Sequence, residues 1–141
     1  MAGSGEKGNV TAVQLPGKEG EPARVAWKAE NATSYFGSPL IHRDRVWLAA
    51  KVGVGWCLDL KSGRELWSGR LAGECWASPI GAGDRVYFFS VNGVTQVYRA
   101  NAPSEKLAEN TLDEMERTYG VAVVDDGFVL RSGRKVAKVS S

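Results

Sequence analysis

Histidine is almost missing from this chain: 141 residues hold one, His42, and two cysteines, Cys57 and Cys75. No Cys or His stands at metal-ligand spacing from another. A zinc site needs four well-placed N, S or O donors, and this set does not supply them. Free, partly buried thiols are the expected state, with a Cys57–Cys75 disulfide left open and a metal site last. Long apolar runs are missing too. None reaches the roughly 20 residues of a transmembrane helix, so no direct membrane insertion is expected. Met1–Gly8 lacks the apolar centre of a secretory signal and reads as a flexible, Gly-rich lead-in. Neither sign of charge dominates: 18 Lys+Arg against 16 Asp+Glu leave a formal +2. That is too near neutral to argue for nucleic acid or an anionic membrane. The densest basic run, Arg131–Lys138, is interleaved with Gly133, Val136 and Ala137 and reads as a solvated strand edge.

The usual marks of catalysis are absent as well. There is no nucleophile elbow, no Gly-rich phosphate loop and no carboxylate pair near a histidine. Gly53-Val54-Gly55 breaks a strand, with no helix behind it to cap a phosphate. No cofactor is expected to bind.

What is present is a repeat. Trp27 and Trp67 are forty apart, and Leu107 stands forty further on. Ser38-Pro39-Leu40-Ile41 followed by Asp44-Arg45-Val46-Trp47-Leu48 returns as Ser78-Pro79-Ile80-Gly81 followed by Asp84-Arg85-Val86-Tyr87-Phe88. A decayed third copy runs Val121–Val124, then Asp126-Gly127-Phe128-Val129-Leu130. Self-similarity at a period of roughly 40–50 residues marks a repeat architecture, and propeller blades lie in that range.

One copy, 38–77, reads as four short strands: Ser38–Ile41, Val46–Lys51, Gly55–Leu60 and Arg64–Ser68. The turns at Arg43-Asp44, Gly53–Gly55 and Lys61-Ser62-Gly63 are too short for crossover helices, so the strands are antiparallel, the layout of a propeller blade. The copy at 78–120 repeats it, with Asn92-Gly93 a hairpin signal. Its Leu112–Met115 stretch fits a helical turn or a loop equally. Residues 9–37 supply a half blade and 121–141 a partial blade, for a count of two, four, four and three strands. The expected fold is all-β, a partial β-propeller of about three four-stranded blades. Thirteen strands make a little over three blades, fewer than the four to eight of a closed ring, so association with a second copy is expected.

The segment Cys57-Leu58-Asp59-Leu60-Lys61-Ser62-Gly63-Arg64-Glu65-Leu66-Trp67 resembles the repeat of the pyrroloquinoline-quinone (PQQ)-like propeller family: a Leu-Asp pair, a Ser-Gly turn, then Trp on the outer strand. Val86–Ser90, Gly93-Val94-Thr95, Leu107–Asn110 and Leu112–Glu114 resemble the C-terminal blades of bacterial proteins with this repeat. The resemblance implies that Trp67 and Trp27 dock against the neighbouring blade, that Gly63 makes a hairpin, and that Leu107 occupies the Trp slot. It also implies an extracytoplasmic setting, periplasm or cell envelope. Family enzymes bind quinone and calcium, and many carry a vicinal Cys-Cys pair, which is missing here. Asp44, Asp84 and Asp126 recur at equivalent positions and read as turn formers, so no calcium site is expected.

An aromatic precedes each first strand: Phe36, Trp76 and Tyr119. First strands line a propeller's axis, so the three should gather at one mouth of the channel. With Tyr35, Glu74 and Arg117 they form the candidate partner or ligand surface, unless they plug the gaps between blades as core. The expected function is a non-catalytic scaffold for a protein or cell-envelope partner, in the manner of outer-membrane assembly modules. The alternative is a fragment of a larger propeller enzyme of quinoprotein dehydrogenase type, with its chemistry outside this chain.

Overall fold

The computed structural model describes residues 2–3, 10–113, 115 and 117–140. Among these the regular structure is entirely strand, in four antiparallel sheets. Sheet one is β1 (Ala2–Gly3), β2 (Val10–Gln14) and β3 (Arg24–Ala29). Sheet two is β4 (Leu40–His42), β5 (Arg45–Ala49), β6 (Val54–Asp59) and β7 (Glu65–Arg70). Sheet three is β8 (Ile80–Ala82), β9 (Arg85–Phe89), β10 (Val94–Arg99) and β11 (Lys106–Thr111). Sheet four is β12 (Gly120–Val124), β13 (Gly127–Arg131) and β14 (Val136–Ser140). Strands follow chain order within each sheet, and each sheet is a blade. The first blade has one strand more than expected, because Ala2–Gly3, inside the stretch read as lead-in, pairs with Val10 and Thr11. Residues 1 and 4–8 of that stretch lie outside the described residues, as does residue 114 of the segment left open between helical turn and loop.

Blades stack because the middle strands are apolar on both faces. Successive side chains of a strand point to opposite faces. Val46 and Leu48 of β5 therefore pack toward blade one, with Val10 and Trp27, while Trp47 and Ala49 pack toward blade three, with Phe88 and Tyr98. All four are buried, which explains why Val46-Trp47-Leu48-Ala49 reads as an unbroken apolar run. A third layer, with Phe89, Leu130 and Met115, joins blades three and four. First strands lie innermost: β4 approaches β8, and the His42 ring sits where a Cβ on Gly81 would fall, 2.6 Å away. The turn from β4 to β5 takes positive φ at Arg43 and Asp44, 52° and 56°. That is the primed geometry of a two-residue hairpin, here built without glycine.

The tryptophan docking is visible at two junctions. Trp27 of β3 is buried, its indole N–H donating to Leu60 O of the next blade at 2.9 Å. Its ring lies against Gly63, which has φ +71° and where a Cβ would come within 2.4 Å of the indole. Trp67 of β7 is half-buried, packed on Tyr98 at 5.1 Å and Trp47 at 6.4 Å between ring centroids. The third slot differs from expectation. Each outer strand pair carries a bulge, and the pairs just before the shift are Ala12–Trp27, Cys57–Trp67 and Val97–Ala108. Ala108, not Leu107, therefore holds the tryptophan's place. The connection Leu60–Arg64 has five residues but Ala100–Glu105 has six, and the extra residue displaces a count of forty by one.

Candidate functional site

The three loops that lead into the first strands end side by side. Ser38 N donates to Ser78 Oγ at 2.8 Å, tying the first loop to the second. Gly37 permits this approach, since a Cβ there would lie 3.0 Å from Ala77 O. Val91 N donates to Glu74 O at 2.7 Å, and Tyr119 N to Arg131 O at 2.9 Å, pinning the second loop to the turn between β9 and β10 and the third to the end of β13.

On these supports the aromatics form one continuous stripe. Tyr35 and Phe36 meet edge-to-face at 4.8 Å, Phe36 and Trp76 at 5.2 Å, and Trp76 and Tyr119 at 5.3 Å. These are favourable separations for aromatic pairs. The stripe is not sealed as core: Tyr35 is 47% exposed, Phe36 55% and Tyr119 37%, with Trp76 half-buried. Exposed rings in mutual contact are an apolar strip of the kind that marks interaction sites.

Cations accompany the rings. Lys51 stands 5.6 Å from the Tyr35 centroid, Arg117 5.7 Å from Trp76 and Arg131 6.0 Å from Tyr119. Glu74 is the one acid of the group, accepting the Trp76 indole N–H at 3.2 Å. Arg117 takes a positive φ of 42°, a conformation that costs a non-glycine residue about 1–2 kcal/mol. All six sequence-predicted residues, Tyr35, Phe36, Glu74, Trp76, Arg117 and Tyr119, are thus brought together. Lys51 and Arg131 were missed, although both flank the turns that face the aromatics. Beneath the stripe, Thr118 is buried with its Oγ1 unpartnered.

Both cysteines are free, buried thiols, Cys75 standing between Glu74 and Trp76 in the chain. Burial pushes Cys57 up to about 12 and Cys75 up to about 11. Cys75 Sγ lies 3.5 Å from Gly73 O and 3.7 Å from Ser90 Oγ. The recurring aspartates sit at hairpin turns, where Asp84 accepts from Arg99 at 3.3 Å and Asp126 from Lys138 at 3.1 Å. Among the described residues no group of three or more His, Cys, Asp or Glu could hold a metal ion, and no helix is long and apolar enough to cross a membrane.

No protein-family model matches the chain, and no curated protein matches its sequence. Solved structures do match in shape. BamB from Moraxella catarrhalis superposes with TM-score 0.67 at 15% identity, over 82% of this chain and 36% of that one. A europium-containing methanol dehydrogenase gives 0.63 at 17%, over 78% of this chain and 22% of that one. The fold is a partial β-propeller. The computationally designed Ika4 protein shares it, with TM-score 0.68 at 14% identity over 83% of this chain and 72% of that one. This propeller chain spans about a third of the BamB chain and less of the dehydrogenase.

Proposed function

We propose that this propeller module is a non-catalytic scaffold that holds a protein partner on the aromatic stripe at its mouth. The observation that supports this reading is four contacting rings left open to solvent on three adjacent loops. Among the described residues of the stripe, three cations against one carboxylate favour an acidic partner segment, which would bring an apolar or aromatic side chain to the rings and carboxylates to Lys51, Arg117 and Arg131. Similarity in shape to BamB favours an extracytoplasmic assembly role.

A displayed random-peptide library panned on the wild type and on a Phe36→Ser/Tyr119→Ser variant tests it. Both replaced rings are at least 37% exposed, so the variant is expected to fold. Acidic, aromatic-bearing peptides should enrich on the wild type and at least tenfold less on the variant. Equal enrichment on both would refute the stripe as the binding surface. The alternative, part of a propeller enzyme, draws on the similarity to the methanol dehydrogenase. A dye-reduction assay with added quinone and calcium on the protein purified from its native cells separates the two, turnover above a buffer control favouring the enzyme.

A further inference from the structure

The junction between blades three and four lacks the indole that its two neighbours hold. Trp27 and Trp67 fill that place at the first two junctions, whereas Ala108 stands there in β11. All six residues of β11 are exposed. A cleft of about 730 Å³ opens here, lined by Leu107 and Ala108 on one side and Phe128 on the other. That lies within the range of small-molecule sites, roughly 300–1,000 Å³. It shares no residue with the stripe at the mouth.

The chain itself leaves this space open. Trp67 fits its own blade because Gly55 and Gly69 lie beneath it, where Cβ atoms would come within 3.3 and 2.6 Å of the ring. The matching cross-strand pair in blade three is Thr95 and Asn110, both of which line the cleft. The interior is aromatic: Tyr87 and Phe128 meet at 4.7 Å, Phe89 and Phe128 at 5.7 Å, both edge-to-face. Among the described residues the charges around it balance. Arg85, Asp125 and Asp126 line the cleft, and Lys138 pairs with Asp126 at 2.9 Å. A ligand of either net charge gains little from such surroundings.

We propose that this cleft binds an uncharged, planar aromatic molecule of one or two fused rings, seated where the other junctions hold their own indole. Indole is the probe. Titrated into the ¹⁵N-labelled full chain, it should shift the amide resonances of Thr95, Val97, Ala108 and Asn110 saturably. A dissociation constant on the order of 0.1–1 mM is expected for a ligand this small. The variant Thr95→Gly/Ala108→Trp/Asn110→Gly rebuilds the arrangement of blade two and should weaken indole at least tenfold. Val123→Trp provides a second block, since Val123 lines the cleft at 61% exposure and tolerates replacement. The absence of saturable shifts, shifts confined to Phe36, Trp76 and Tyr119, or unchanged affinity in a folded blocking variant would each overturn the proposal.

Discussion

Gly63 shows how one residue can hold two blades in register. Its φ of +71° suits glycine, and the space a Cβ would take is occupied by the Trp27 indole at 2.4 Å. Gly63→Ala should therefore cost roughly 2–4 kcal/mol, from left-handed strain together with overpacking. Urea denaturation reads this directly, and an unchanged midpoint would show that the ring moves aside freely. The role of Gly63 was legible because a Ser-Gly turn precedes a Trp at a fixed distance. The thiols make a second residue-scale case, where burial could not be read from spacing. Their pKa values are raised to about 12 and about 11, so the folded state disfavours the thiolate. The stability they contribute is full below the unfolded value near 9 and is lost as pH rises through 9 to about 11–12. Native protein at pH 8 should react with a thiol reagent far more slowly than urea-unfolded protein, and its melting temperature should fall above pH 9. Equal labelling rates would contradict the buried placement.

Strand assignments survived where the apolar run was long and the turn chemistry strong, as at Asn92-Gly93 before β10. Strand ends shifted by one or two residues, because ladder pairing rather than composition decides where a strand stops. The misplaced Trp slot has a different cause. Side chains alternate with period two, so one inserted residue in the connection before β11 exchanges the faces of everything after it. The bulge between Val97 and Tyr98 takes up Leu107 and leaves Ala108 opposite Val97. The other two outer pairs carry the same bulge, so the count of forty fails at the longer connection before β11 and not at the pairing. The stripe was legible for the opposite reason. Phe36, Trp76 and Tyr119 each sit within four residues of the first strand they precede, so no connection of variable length intervenes.

Among the described residues, the molecule is a short array in which the hydrophobic layers join blades that are neighbours in sequence, and stability in such arrays is a sum of unit and interface contributions. Blades two and three are covered on both faces by the layers around Leu48, Trp47 and Phe89. Blades one and four each have one covered face, and they expose Val25 at 57% and Val136 at 71%. Native-state hydrogen exchange should therefore show slowest amides in β5, β6, β9 and β10, and markedly faster ones in β2, β3 and β14. Uniform protection across all four sheets would mean a single cooperative unit.

The placing of the indoles also gives the molecule an optical reporter. Trp27, Trp47 and Trp56 lie in dry interblade layers and Trp67 is wedged among rings, so their emission is blue-weighted and shielded from dissolved quenchers. Trp76 alone among the five stands on the open stripe, with a guanidinium over its ring and a carboxylate on its N–H. Acrylamide should extinguish a red-shifted minority of the fluorescence first. A molecule docking at the mouth would recolour that minority and leave the rest of the spectrum unaltered, whereas one entering the cleft beside Ala108 would leave it unchanged.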